Sequence, residues 1–269
     1  MAKALGGPAD AVVLDLEDSV PVRDKPEARR NVVAVLAAAP PAAAQSRIVR
    51  INNEGEWDVA DIEVIRALLD SGRIQGVMIP KVSSAAQLDS FIAAVGRDVP
   101  VWAVATETPE GVVDLVEIAR HPAVQVLCWG PEDLAVLMGS FGARDDAGRL
   151  RPVYEWVRWQ TLVAARAAGI EALDTVFVDY RDSDGLAREA KEAADAGFSG
   201  KMAIHPAQLP VIEAAFSPPR RLVEWSARLL AEREATGLGA FTFDGKMVDQ
   251  PHFKLAARVL EREGLRPAS

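Results

Sequence analysis

The sequence predicts an α/β fold: a (β/α)8 TIM barrel lacking its first strand, followed by a C-terminal helix, hairpin and helix. Three observations lead there. Short apolar runs rich in Val, Ile, Leu and Ala alternate with helical stretches along the first two hundred or so residues. Polar side chains gather just past the C-terminal ends of those runs, where a barrel would collect them at one mouth. No glycine-rich phosphate loop follows the first run, as a doubly wound dinucleotide fold would usually require.

In order, the candidate strands are Ala11–Leu16, Arg47–Ile51, Gly76–Ile79, Val101–Ala105, Val124–Trp129, Thr175–Val178 and Lys201–Ile204. Each is short and apolar, as strands buried on both faces of a parallel sheet must be. The segments between them are long enough for crossover helices. Ile62, Ile65, Leu68 and Leu69 fall at helical spacing, and Gly185–Ala196 is rich in Ala, Glu and Lys. Seven strands leave an eight-stranded barrel one short. The economical reading makes Met1–Pro8 the tail of a helix whose strand lies upstream; an eighth strand near Phe241–Phe243 is the alternative. Beyond His205 the sequence predicts helices over Gln208–Phe216 and Leu222–Glu234, then two alternating runs around Asp244-Gly245, a hairpin signal, and a last helix from Pro251 to about Glu263. The expected division is residues 1–216 for the barrel and 217–269 for an extension that pads its outside or covers its mouth.

Composition narrows the function classes. Thirty-nine acidic against 30 basic residues give a net charge of −9, which argues against a nucleic-acid-binding face. A single cysteine, Cys128, excludes an internal disulfide framework and a cysteine-based zinc site. The longest apolar stretch, Asn31–Ala44, is broken by Pro40 and Pro41, so no membrane span is expected. The N-terminus shows no signal-peptide core, and a cytoplasmic protein is the expectation.

The chemistry concentrates at the strand ends. Glu107 in ATETPEG and Asp133 in CWGPEDLA follow consecutive strands, so a barrel brings them to neighbouring points of its rim. Two carboxylates with scattered histidines suit a hard cation such as Mg²⁺. The purely structural alternative makes Glu107 the cap of a helix near Pro109 and Asp133 an early-helix acid. Arg50, ending RIVRINN, offers a fork for a carboxylate or an enolate oxygen, or else a salt bridge to Asp15, Glu17 or Asp18. At most two of those three acids would face the mouth. Lys81 either contacts substrate or neutralises the acids, and His205 reads best as a hydrogen-bonded structural imidazole.

Eight motifs in this order, LDLEDSV, RINN, IPK, ETPEG, WGPEDLA, DTVFVDYRD, GKMAIHP and FDGKMVDQP, resemble the citrate lyase β-subunit-like family of CoA-ester lyases, which includes malyl-CoA, β-methylmalyl-CoA and citramalyl-CoA lyases. The resemblance spans essentially the whole chain. It implies a Mg²⁺-dependent barrel that makes or breaks a C–C bond in a 3-hydroxyacyl-CoA. Glu107 and Asp133 would hold the metal, and Arg50 would contact substrate and enolate. Asp249, in KMVD, matches an aspartate delivered on a C-terminal lid to a neighbouring subunit, so a homo-oligomer, trimer or hexamer, is implied. Family members carry an additional strand and loop before the segment matching MAKALGGPADAV, in agreement with the strand count; a chain extended upstream is expected to be more soluble and active. Lys25, Arg29 and Arg30 are candidate phosphate contacts for CoA. The competing readings are a citrate lyase β subunit acting on an acyl carrier protein, a metal-dependent keto-acid aldolase without CoA, and a catalytically silent barrel. LDLEDSV lacks the His–Asp/Glu pairing that such aldolases offer early in the barrel.

Overall fold

Seven parallel strands hydrogen-bond in the order of the chain: β1 Ala11–Asp15, β2 Ser46–Arg50, β3 Gly76–Ile79, β4 Val101–Val104, β5 Val124–Cys128, β6 Glu171–Asp174 and β7 Gly200–Lys201. The coordinates are a computed structural model describing residues 1–40 and 45–264, so residues 41–44 of the Ala/Pro-rich stretch lie outside it. Helices such as Lys25–Ala38, Val59–Asp70, Ala85–Val95, Pro152–Ala168 and Ser183–Ala196 connect the strands. This is the expected barrel wall with seven strands; β1 and β7 each have one neighbour among the described residues. No helix among the described residues is long and apolar enough to cross a membrane.

The period of two sorts the side chains. Ile48, Met78, Val104, Val126 and Cys128 form one cluster, with Val13, Trp102, Leu173 and Met202 packed against it. The opposite face carries Leu14, Val49, Val77, Ala103, Leu127 and Ala172, all buried. Two apolar faces explain why these strands read as near-continuous apolar runs. Cys128 is fully buried and burial pushes its thiol pKa up, so it is core.

The last two strands sit differently from expectation. β6 is Glu171–Asp174, four residues before Thr175–Val178, and β7 ends at Lys201 rather than starting there. The β-branched residues that suggested a strand belong to the loop after β6. Asp174 and Lys201 are therefore the strand-end groups of β6 and β7.

One glycine of ETPEG is fixed by close approach. A Cβ on Gly111 would lie 2.0 Å from the Ala105 carbonyl oxygen and 2.3 Å from that of Val82. The helix Pro109–Val113 thus rests directly on the backbone beyond β4 and β3. Gly111→Ala should destabilise the protein by about 1–3 kcal/mol or more through overpacking. A urea midpoint equal to wild type would contradict this.

The chain divides into two compact units, Met1–Leu209 and Pro210–Ser269. Within the second, helix Arg220–Thr236 precedes an antiparallel hairpin of β8 Phe241–Phe243 and β9 Lys246–Val248, and helix Gln250–Arg262 follows. Asp244 and Gly245 both take positive φ, 47° and 76°, the two-residue turn that the Asp-Gly pair foretells. Leu229, Val248, Phe253 and Ala256 form this unit's own core.

Candidate active site

Asp15 and Arg50 are register partners at the ends of β1 and β2, so both project on the face that carries Val13 and Ile48. Arg50 Nε and Nη2 donate to Asp15 Oδ1 and Oδ2 at 2.7 and 2.6 Å, and Nη1 meets Glu17 Oε2 at 3.1 Å. Two of the five guanidinium N–H groups donate hydrogen bonds and a third faces Glu17 as an ion pair, so two have no partner among the described residues. The salt bridge weighed as an alternative for Arg50 is present, and it also orients the residue. Lys81 Nζ donates to Glu17 and to Asp18, the latter at 3.0 Å, so Lys81 neutralises the acids. All three acids converge on these cations, against the expectation of at most two, because β1 ends at Asp15 and strand alternation does not govern Glu17 or Asp18.

Burial alone would push the Asp15 carboxyl pKa up, but the hydrogen bond and charge of Arg50 outweigh it and hold it at about 2. Burial would likewise ease Arg50 and Lys81 towards neutrality, yet their carboxylate partners raise both. A lowered carboxyl pKa contributes stability above the ordinary value near 4, and that stability is lost as pH falls towards about 2. Wild type should therefore be more stable than Asp15→Asn in urea at neutral pH, the difference shrinking across that acid window. An equal difference at pH values below the window would contradict the coupling.

Lys81 also acts through its backbone. Its φ of 53° is left-handed, rare for a residue with a side chain. Asn53 Nδ2 donates to the carbonyls of Pro80 and Lys81 at 2.7 and 3.3 Å, holding this turn. The turned Lys81 N–H donates to Glu107 Oε2 at 2.9 Å. Its Nζ lies 3.9 Å from Asp133 Oδ2, so one residue reaches both acids singled out in the sequence. The sequence offers no signal for this, since a left-handed lysine is set by its surroundings.

Glu107 does not cap the following helix; Thr108 does, accepting from Gly111 N–H at 3.1 Å. Glu107 instead lies against Gly130, where a Cβ would stand 2.9 Å from its Cγ and Oε1. Thr106 Oγ1 accepts the Gly130 N–H at 3.2 Å and fixes this approach. Asp133 occupies the first turn of helix Pro131–Leu137, with its side chain 40% exposed. Burial, reinforced by the charges of Asp133 and Glu17 and opposed by Lys81, pushes the Glu107 pKa up to about 7. Glu107 is 8% exposed and has no cationic partner at ion-pair distance among the described residues. A buried carboxylate beside two others, with no cation at ion-pair distance among the described residues, is a position that suits a hard cation. No group of three or more His, Cys, Asp or Glu is placed to hold a metal among the described residues. The protein thus offers oxygen from two carboxylates, the donor set that Mg²⁺ tolerates when water and substrate oxygens complete its shell.

Arg50, Glu107 and Asp133 meet at the C-terminal ends of the strands, linked through Lys81 and Glu17. Asp249 belongs to the second unit, where it stands between β9 and helix Gln250–Arg262. The candidate phosphate contacts are largely committed elsewhere. Lys25 donates to Asn52 and the Leu16 carbonyl, and Arg29 pairs with Asp58 and Asp61. Neither offers the solvated basic face that a phosphate would need. His205 caps the turn Pro206–Gln208 through Nδ1 and stacks on Tyr180, a structural imidazole as read.

Behind the site lies a network the sequence does not reveal. Asp174 accepts from Arg158 Nε and Nη2 at 3.0 Å each, from Lys201 Nζ at 2.7 Å and from Trp129 Nε1 at 2.8 Å. Burial would raise the Asp174 pKa, but Lys201 and Arg158 hold it low. Trp129 is fully buried and immediately precedes Gly130, so this network anchors the backbone against which Glu107 lies. It does not line the site.

Comparison with known proteins places this arrangement. The HpcH/HpaI aldolase/citrate lyase family matches over residues 1–206. A (3S)-malyl-CoA thioesterase of Cereibacter sphaeroides is 37% identical over 271 residues, spanning 97% of this chain and 89% of that protein. The mitochondrial citramalyl-CoA lyase of Mus musculus is 30% identical over 271 residues, spanning 93% and 78%. A crystal structure of CitE from Mycobacterium tuberculosis, in complex with magnesium, acetoacetate and coenzyme A, superposes with a TM-score of 0.82 at 37% identity, covering 98% of this chain and 93% of that one. A family match over most of the chain, together with that shared fold, establishes that the protein belongs to the HpcH/HpaI aldolase/citrate lyase family, enzymes that make or break carbon–carbon bonds.

Proposed function

We propose that the protein is a Mg²⁺-dependent CoA-ester lyase that cleaves or forms a C–C bond in a 3-hydroxyacyl-CoA such as malyl-CoA, β-methylmalyl-CoA or citramalyl-CoA. The observation that carries this reading is Glu107, a buried carboxylate without a cationic partner among the described residues, beside Asp133 at the strand ends. Magnesium and coenzyme A in the CitE complex, and the names of the relatives, support the cofactor and the acyl-CoA substrate.

Glu107 and Asp133 would hold Mg²⁺. Bound there, the ion supplies positive charge to the oxygens of the hydroxy-carboxylate beside the scissile bond. Arg50, fixed by Asp15 and Glu17, would turn its two free N–H groups to the thioester oxygen, which gains negative charge as the bond breaks. Cleavage moves one proton overall, from the hydroxyl oxygen to the carbon left as an enolate. Asp249 would exchange that proton, reaching the site of a neighbouring copy in a homo-oligomer and excluding water as it does so.

A second reading, thioester hydrolysis, is favoured by the name of the Cereibacter relative. One panel separates the two. Incubation of the three CoA esters with Mg²⁺, followed by mass spectrometry, should yield acetyl-CoA or propionyl-CoA with the matching oxo acid. Free CoA with the intact hydroxy acid would overturn the lyase reading.

A further inference from the structure

Asp249 does not stand alone. His252, three residues on and one helical turn away, places Nδ1 2.7 Å from Asp249 Oδ1. The same nitrogen is 3.3 Å from the Asp249 backbone N–H. Only one of these contacts can be a hydrogen bond in a given tautomer. An unprotonated Nδ1 would set two lone pairs against each other at the shorter contact, so the proton sits on Nδ1 and is donated to the carboxylate.

The frame beneath this pair is rigid. Val248, just before Asp249, is 2% exposed, and Phe253, just after His252, is 1% exposed; both belong to the core of the C-terminal unit. The two polar side chains are 38% and 43% exposed, so they rise from that core towards solvent. His252 holds Oδ1, and the carboxylate also accepts the His252 backbone N–H at the start of helix Gln250–Arg262. The imidazole and the helix backbone together thus hold the carboxylate in one rotamer.

We infer that His252 is a positioning residue for Asp249: it donates Nδ1–H to Oδ1 and so fixes the orientation in which the carboxylate meets the carbon whose proton is exchanged. This rests on the assignment of Asp249 as the proton-exchanging group. The competing role for His252 is a cap for helix Gln250–Arg262, and side-chain chemistry separates them. Glutamate is the residue that completes a capping box at this helix position, accepting the backbone N–H of the cap. It cannot donate to the Asp249 carboxylate when ionised. Glutamine can do both.

The test compares wild type, His252→Glu, His252→Gln, His252→Ala and Asp249→Asn in the full chain. Each is assayed with Mg²⁺ and malyl-CoA, β-methylmalyl-CoA or citramalyl-CoA, with thermal midpoints measured alongside. His252→Glu and His252→Ala should lower kcat about 10- to 100-fold with KM changed less than about threefold, and His252→Gln should restore kcat to within about threefold of wild type. Wild-type kcat in His252→Glu, or His252→Gln falling as far as His252→Glu, would overturn the positioning role. Should His252→Glu melt early, the Glu-against-Gln comparison is made at a temperature where both variants remain folded. Full activity in Asp249→Asn would overturn the underlying assignment instead. Failure of wild type to cleave any of the three esters would overturn the lyase reading, and this inference with it.

Discussion

Glutamine in place of Glu107 should lower kcat/KM for Mg²⁺-dependent C–C cleavage by roughly 10²- to 10³-fold while leaving the thermal midpoint equal to or above wild type. The two effects have opposite signs for one reason. Glu107 is 8% exposed and without an ion pair among the described residues, so its charge weakens the fold in the absence of metal. Glutamine keeps an oxygen to accept the Lys81 N–H and removes that charge. It also removes an anionic ligand, and a metal's charge stabilisation is worth several kcal/mol in the transition state, roughly tenfold in rate per 1.4 kcal/mol. Steady-state kinetics and thermal melts of the same preparation check both signs. A variant as active as wild type, or one that fails to fold, would contradict the role given to this residue.

Alanine in place of Asp174 should act in the reverse manner, with its first effect on stability. Asp174 and the side chain of Lys201 are fully buried and the Arg158 side chain is 2% exposed, so removing the shared carboxylate strands two cations and the Trp129 N–H away from water. Breaking a buried ion pair by deleting one partner typically costs about 3–5 kcal/mol. For a chain of this size that is roughly 5–9 °C in Tm. Glu189 and Glu192 still meet Lys201 and Arg158, which places the expected loss at the lower end. Urea denaturation measures it. A loss below about 1 kcal/mol would show that the network is not a structural keystone, and the anchoring of Trp129 and Gly130 would need another source.

Much of this was legible in the sequence because parallel strands buried on both faces leave a simple mark. The runs 11–16, 47–51, 76–79, 101–105 and 124–129 each fall within two residues of β1 to β5, and Asp244-Gly245 fixes the hairpin by its two left-handed positions. Glu107 and Asp133 were visible because they follow consecutive strands. β6 was misplaced because Glu171-Ala172-Leu173-Asp174 has charged ends and little β-branching, whereas the loop after it carries Thr175, Val176 and Val178. What decides β6 is pairing with β5 and the burial of Asp174 between Arg158 and Lys201, contacts between residues 16 and 27 positions apart. Lys25 and Arg29 looked like a basic helix face for the same reason. Their partners, Asn52, Asp58 and Asp61, come from the next βα unit, and local sequence does not record that meeting. The left-handed turn at Lys81 depends on Asn53 in yet another strand end.

The account turns on Glu107 and Asp133 sharing one divalent cation. Titration of Mn²⁺ against the protein, with the free ion followed by electron paramagnetic resonance, tests this without any catalytic assay. Wild type should bind one equivalent per chain, displaceable by Mg²⁺. Glu107→Gln and Asp133→Asn should each weaken binding about tenfold or more, and the double variant should be little worse than either, since one ligand lost already disables a two-carboxylate site. Wild-type affinity in either single variant would contradict the shared ion.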